Sequence, residues 1–314
     1  MQAFGAMDAD DNLLTPAHYK TPDQGAATTV LLAASPLLDG VSGRYFEDNQ
    51  ESEVVDGGPE VMGGVAKWAV DPADIRRNNM NDDTRSPHFL LVHGAWHGSW
   101  CWRELQDLLT ERGWTSHTVD LPSVVPEGAD GRLHGLMDDA RVVREAIDVV
   151  EAPLVVVGHS YGGAPVTQAA AGAANVAHLV YVSGFALDVG ESLMTCFGGE
   201  QPDLTTVEGV IPVRENPETT LYNDVADDKK NAALPRLLPQ SALSFAEPVS
   251  RAAWKTVPSS YVFCDDDQSL PPAYQEPFAQ RTGTTHHLPS GHTPLLSMPD
   301  KLADLLVQIA CSTR

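Results

Sequence analysis

The sequence predicts an α/β fold: a parallel, doubly wound sheet with helices on both faces over residues 86–314, a helical cap inserted at about 186–255, and an N-terminal appendage over 1–85. Three observations carry this reading. After residue 86, apolar strand candidates alternate with helical patterns. A run of apolar β-branched residues, LVVV at 154–157, leads through a glycine-flanked turn into an alanine-rich stretch. Before the alternation begins, DPADIRRNNMNDDTR at 71–85 is polar, lacks periodicity and ends at Ser86-Pro87, which marks a linker.

In order, HFLLVHG (88–94) reads as a strand, SWCWRELQDLLTERG (99–113) as a helix, TSHTVDLP (115–122) as a strand and LMDDARVVREAIDVVE (136–151) as a helix. The strand and turn at 154–162 follow, then a strand in AHLVYVSG (177–184). Residues 186 to about 255 break the rhythm with many prolines and short helical pieces such as AALPRLLPQSAL. Such a long insertion at the carboxyl edge of the sheet is expected to cover the turn and shape a pocket. Then come a strand in SSYVFCDDD (259–267), a helix near 272–281, a strand in TTHHLP (284–289) and a closing helix from about 295 to 310. No internal repeat is visible.

Composition narrows the function. Of 314 residues, 42% are hydrophobic and 20% charged, enough to bury a sizeable core. The formal net charge of -23, with no basic cluster to offset it, argues against nucleic acid or anionic lipid as a partner and for a small, neutral substrate. The N-terminal MQAFGAMDADDN has neither a basic nor an apolar leader segment, and no apolar run reaches the length of a membrane span, so a cytoplasmic protein is expected. Cys101, Cys196, Cys264 and Cys311 are scattered and read as free, mostly buried thiols.

The turn GHSYG at 158–162 has the G-x-S-x-G spacing of a nucleophile elbow: glycines permit a sharp strand-to-helix bend that lifts the Ser160 hydroxyl over the sheet edge. A serine nucleophile requires a base and an orienting acid, which in this architecture follow it in the order serine, acid, histidine. Asp267 after YVFC and His292 in LPSGHTPLL occupy those places. His286 and His287 compete for the base but fall within a strand candidate. Asp265, Asp266 and above all Asp188 compete for the acid. HGAWHGSW at 93–100 follows the first strand, so the Ala95 N–H can face Ser160, with the Tyr161 N–H as the second oxyanion donor. His93 and His97 lie on a glycine-containing loop without the glutamate of a zinc-hydrolase helix, so no metal or organic cofactor is implied. Trp96 is expected to line the pocket, and Trp100 and Trp102 to pack a helix.

In FLLVHGAWHGSWCW, VDLPS, VVVGHSYGG, VFCDDDQSLP and SGHTPLLSMPDKLADLL, residues 88–312 resemble the small-esterase branch of the α/β-hydrolases, which includes plant methylesterases and hydroxynitrile lyases. The resemblance implies Ser160, Asp267 and His292 as the triad, Ala95 and Tyr161 as oxyanion donors, and a serine carboxylesterase acting on small to medium neutral esters. Lyases of this branch carry threonine where this chain has Gly94 and lysine where it has Thr293, which favours hydrolysis. A hydroxynitrile lyase or other carbon-carbon bond-cleaving enzyme, and a non-catalytic ligand-binding protein on the same scaffold, are the alternatives.

Residues 21–55, with KWAVDPADI after them, resemble the carboxyl-terminal part of short-chain dehydrogenases, chiefly in QGAATTVLLAAS and GVSGRYF. The glycine-rich dinucleotide turn and the Y-x-x-x-K pair of that family are absent from the chain. The appendage therefore reads as a fused remnant, either packed on the second domain or helping subunits form a homo-oligomer.

Overall fold

The computed structural model describes residues 87–124 and 133–313, together with four two-residue strands between 46 and 66. The chain divides into two units, Met1–Asp83 and Thr84–Arg314. In the first, Phe46–Glu47 pairs antiparallel with Gln50–Glu51, and Val54–Val55 pairs parallel with Val65–Ala66. The helix expected at 24–35 and the linker at 71–85 lie outside the described residues.

The second unit is built on six strands: β1 (His88–Val92), β2 (Ser116–Val119), β3 (Leu154–His159), β4 (Val176–Val182), β5 (Ser259–Cys264) and β6 (Thr284–Leu288). They pair in parallel in the order β2-β1-β3-β4-β5-β6. Chain order reverses direction at β1, where strands leave on either side, the place at which open α/β sheets generally bind ligands.

Side-chain alternation assigns each strand residue to a face. Leu90, Val92, Val156, Tyr181 and Phe263 point to the side covered by α2 (Leu136–Asp148) and α3 (Gly163–Ala169). Phe89, Leu91, Val155, Val157, Val262 and Cys264 point to the other, where Leu105 and Leu109 of α1 (Arg103–Glu111) and Leu302, Leu306 and Ile309 of the last helix meet them. With both faces covered, β3 and β5 are buried along their whole length and hold the unbroken apolar runs LVVV and VFC, whereas the edge strand β6 is largely exposed.

Between β4 and β5 the chain is irregular. It holds α4 (Pro217–Thr220), α5 (Asp227–Ala233), α6 (Ala242–Ala246) and a two-residue antiparallel ladder of Val210–Ile211 with Gln240–Ser241. The piece AALPRLLPQSAL is not one helix. Pro235 opens a single 3-10 turn at Leu234–Arg236, the chain turns extended at Leu237, and Pro239 precedes the ladder. After α7 (Pro272–Ala279), the closing helix is likewise divided: α8 (Pro294–Ser297) stops at Met298, and Pro299 starts α9 (Pro299–Ser312). Of the thiols, Cys101 and Cys264 are buried, Cys196 is half-buried and Cys311 is exposed. Among the described residues no helix is long and apolar enough to cross a membrane.

Candidate active site

β3 delivers the turn that carries Ser160. Here the backbone takes φ 50°, a conformation disfavoured for any residue with a side chain and characteristic of a strained functional turn. The flanking glycines are required by contact rather than by dihedral. A Cβ at Gly158 would lie 2.8 Å from the Gly163 Cα, and one at Gly162 would lie 2.5 Å from the His93 carbonyl oxygen. The turn therefore presses directly on the loop after β1.

Ser160, His292 and Asp267 converge from the ends of β3, β6 and β5. The Ser160 Oγ lies 3.0 Å from His292 Nε2, and His292 Nδ1 lies 2.7 Å from Asp267 Oδ2. All three are buried, Ser160 at 9% exposure, so the hydroxyl sits beneath covering chain rather than in open solvent. Burial alone would disfavour the Asp267 carboxylate. Against it act the nearby His292, the Ser183 hydroxyl donating at 2.6 Å and the Leu270 N–H donating at 2.7 Å, and the net effect is a pKa below the usual carboxylate range. An acceptor held ionised in this way fixes the proton of His292 on Nδ1 and leaves Nε2 to accept from the serine.

The competitors lie elsewhere. Asp188 Oδ1 is 2.5 Å from Lys255 Nζ and accepts from the Val189 N–H. Asp265 pairs with His287 Nδ1 at 2.7 Å on the exposed edge, and His286 of β6 lines a separate surface pocket with His178 of β4. Neither β6 histidine meets Ser160.

Gly94 allows the loop after β1 to approach the elbow, since a Cβ there would lie 2.9 Å from His159 Nδ1 and 3.0 Å from Ser160 Cβ. Its carbonyl accepts from His93 Nδ1 at 2.9 Å. In a trans peptide the carbonyl and the following N–H point in opposite directions, so this bond turns the Ala95 N–H away from His93. Among turn and loop hydrogen bonds of the described residues, neither the Ala95 N–H nor the Tyr161 N–H is a donor. Burial keeps His93 and His97 neutral, the latter with its pKa pushed down to about 3, and each ring is spent on hydrogen bonds: His93 Nε2 accepts from the Leu121 N–H, and His97 Nε2 from the Tyr222 hydroxyl. Among the described residues no group of three or more His, Cys, Asp or Glu is arranged to hold a metal ion.

Trp96 also takes a left-handed φ of 64°, and its indole Nε1 donates to the Ile211 carbonyl at 3.4 Å with Phe245 beside the ring. It ties the loop after β1 to the segment between β4 and β5. Trp102 is fully buried in the helical layer, whereas Trp100 is half-buried, packs against the cluster of Leu221, Tyr222, Val225 and Ala233 and receives Arg236 over its ring. Sequence reasoning missed Ser183, which turns at φ 43° just past β4 to reach Asp267. It also missed His159, whose Nε2 donates to the His292 carbonyl at 2.8 Å. A histidine inside the elbow motif was a signal for the second; nothing local marks the first.

Residues 89–305 match the model of the alpha/beta hydrolase family. The chain belongs to that family. It is 27% identical over 243 residues to a carbendazim hydrolyzing esterase of Nocardioides sp., covering 71% of this chain and 99% of that one. In fold it is similar to a methylesterase from Arabidopsis, with a TM-score of 0.61 over 72% of this chain and 99% of the other, at 22% identity. The N-terminal part resembles a different group: 72 residues are 62% identical to a probable oxidoreductase of Streptomyces lividans. That match spans about a quarter of the relative's length, 24%, and 23% of this chain. This alpha/beta hydrolase thus carries, ahead of its hydrolase region, a piece similar to part of an oxidoreductase.

Proposed function

We propose that the protein is a serine carboxylesterase acting on small to medium neutral esters. The observation that carries this reading is the hydrogen-bonded series Ser160–His292–Asp267, beside two N–H groups that donate in none of the turn and loop hydrogen bonds of the described residues. As the Ser160 Oγ bonds to the ester carbonyl carbon, His292 Nε2 takes its proton, and Asp267 compensates the imidazolium. The carbonyl electron pair becomes an oxyanion held by the Ala95 and Tyr161 N–H groups. When the carbon–alkoxide bond breaks, His292 returns the proton to the leaving alcohol. Water, deprotonated in turn by His292, then releases the acid and restores Ser160. In this reading residues 86–314 supply every group the chemistry needs, and 1–85 supply none.

Position 293 supports hydrolysis over cyanohydrin cleavage. Thr293 is buried and donates to the Leu221 carbonyl at 2.7 Å, so no cation stands beside His292 there to stabilise a departing anion. The name of the Nocardioides relative agrees with an ester substrate class. The test is covalent labelling by a fluorophosphonate together with turnover of a panel of p-nitrophenyl and bulky hydrophobic esters. Ser160→Ala is expected to abolish labelling and to lower kcat at least about a thousandfold with the fold intact. Substantial turnover by Ser160→Ala would overturn the assignment.

A further inference from the structure

One unbroken series of hydrogen bonds, buried beyond its first member at Trp96, runs between the two candidate oxyanion residues, through side chains that take no part in the chemistry above. The Trp96 N–H, in the peptide that follows Ala95, donates to Gln240 Oε1 at 3.1 Å. Gln240 Nε2 donates to the Ser123 Oγ at 3.0 Å and to the Ser244 Oγ at 3.1 Å. The Ser123 hydroxyl donates to Asp139 Oδ2, and the Ser123 N–H donates to Oδ1 at 2.9 Å. The Tyr161 hydroxyl donates to the same Asp139 Oδ2 at 2.6 Å. Ser123, Asp139, Tyr161, Gln240 and Ser244 are each at 0% exposure.

With Asp139 ionised, the direction of every bond is forced. A backbone N–H only donates, so Gln240 must turn its carbonyl oxygen to Trp96 and its amide nitrogen to the two serines. Ser244 passes its proton to the Ser241 carbonyl, and Ser123 passes its own to the carboxylate, so both hydroxyls are free to accept from Gln240. Asp139 closes the series by accepting from both ends.

We propose that Gln240 and Asp139 are positioning residues that hold the Ala95 and Tyr161 N–H groups on a common oxyanion. The inference rests on the ester-hydrolysis reading above. At the first end, Gln240 holds the N–H of the Ala95–Trp96 peptide while His97 Nδ1 donates to its carbonyl at 2.7 Å. That peptide is clamped on both edges. The preceding peptide, Gly94–Ala95, is held by His93 at its carbonyl, so its own N–H, that of Ala95, keeps one direction. At the second end, the Tyr161 ring is pinned by Asp139 at its tip and by Phe245 stacked on its face at 5.5 Å, which fixes the residue whose N–H completes the pair. Ser123 joins the two anchors, so displacement at either end is felt at the other. Oxyanion donors contribute through preorganisation, and a donor that is present but loosely aimed loses much of its value in the transition state alone.

The test compares Gln240→Met, Ser123→Ala and Tyr161→Phe with the wild type and Ser160→Ala in the full chain. The readouts are kcat and KM on one p-nitrophenyl ester and the Ki of a trifluoromethyl ketone, whose adduct with serine carries an oxyanion. Gln240→Met is expected to lower kcat about tenfold or more, with KM changed less than about twofold and Ki raised in proportion to the fall in kcat. Tyr161→Phe, which removes one oxygen, should show the same split if Gln240→Met folds poorly. Ser123→Ala in either background should cost less than it does alone, because the series is already cut. A lowered Tm with kcat and Ki unchanged in both Gln240→Met and Tyr161→Phe would reduce the series to a structural brace and overturn the proposal. Absence of ester turnover by the wild type, or its retention by Ser160→Ala, would instead overturn the ester-hydrolysis reading and the proposal with it.

Discussion

The Ser183 hydroxyl donates at 2.6 Å to the very oxygen of Asp267 that faces His292. Two donors thus share Asp267 Oδ2, while Oδ1 accepts from the Ser269 and Leu270 N–H groups at 2.7 Å each. Removing one charge-assisted bond costs about 1.5–3 kcal/mol. Ser183→Ala is therefore expected to lower kcat roughly tenfold to a hundredfold, with the acid limb of the pH–kcat profile moved as Asp267 loses a bond to its charged form. An unchanged profile in a folded Ser183→Ala protein would remove Ser183 from the site.

Asp267→Asn and Asp188→Asn should differ sharply. The first leaves His292 without the acceptor that fixes its tautomer and is expected to cost about a ten-thousandfold loss of kcat. The second breaks a half-exposed pair with Lys255 and should leave kcat within about twofold. The reverse order of damage would move the acid to the end of β4.

Asp139 gives a stability prediction of defined sign. Burial raises its pKa to about 7 against bonds from Ser123 and Tyr161, with neighbouring Asp138 adding to the rise. A carboxyl raised in the folded state stabilises fully below its unfolded pKa of about 3.8, and that contribution is lost as pH climbs through about 7. The Tm of the wild type minus that of Asp139→Asn should accordingly shrink from pH 4 to pH 7 and flatten above. In free energy the slope approaches about 1.4 kcal/mol per pH unit. A difference that stays constant or grows over this range would contradict the raised pKa.

A chain beginning at residue 84 should retain ester turnover, because all proposed reacting groups follow Pro87. The measurements are kcat on a small ester and the oligomeric state by light scattering. A folded truncation that binds substrate without turning it over would give residues 1–85 a part in the chemistry.

Much of this arrangement is legible along the chain because it is written locally. The alternation of Leu90, Val92 and Phe89, Leu91 across one strand, and the two glycines around Ser160, are short-range patterns with short-range causes. Asp267 is harder. Three aspartates stand in a row, and only the fold distinguishes the one whose oxygens meet the Ser269 and Leu270 N–H groups and His292 from the one that pairs with His287. Ser183, Gln240 and Asp139 carry no local mark, since each finds its partners across long stretches of chain. The divided closing helix was a missed local signal: Pro299 has no N–H to bond back to Leu295 and is favoured at the start of a new helix.

Gln240 lies in the irregular segment between β4 and β5, yet its amide is satisfied from outside that segment, by Trp96 and by Ser123, as well as by Ser244 within it. The segment is therefore not an interchangeable module. Grafting it from a homologue to alter substrate scope, without a matching glutamine, would strand the Trp96 N–H at the lip of the elbow and leave Ser123 without its donor. Transplanting it into a host lacking the serine would leave Ser244 as the amide's acceptor within the segment and strand the proton now given to Ser123, at about 1–3 kcal/mol. Recombination of specificity in such enzymes is thus bounded by three side chains, at positions 123, 139 and 240, that must travel together, while position 96 takes part through its backbone N–H alone.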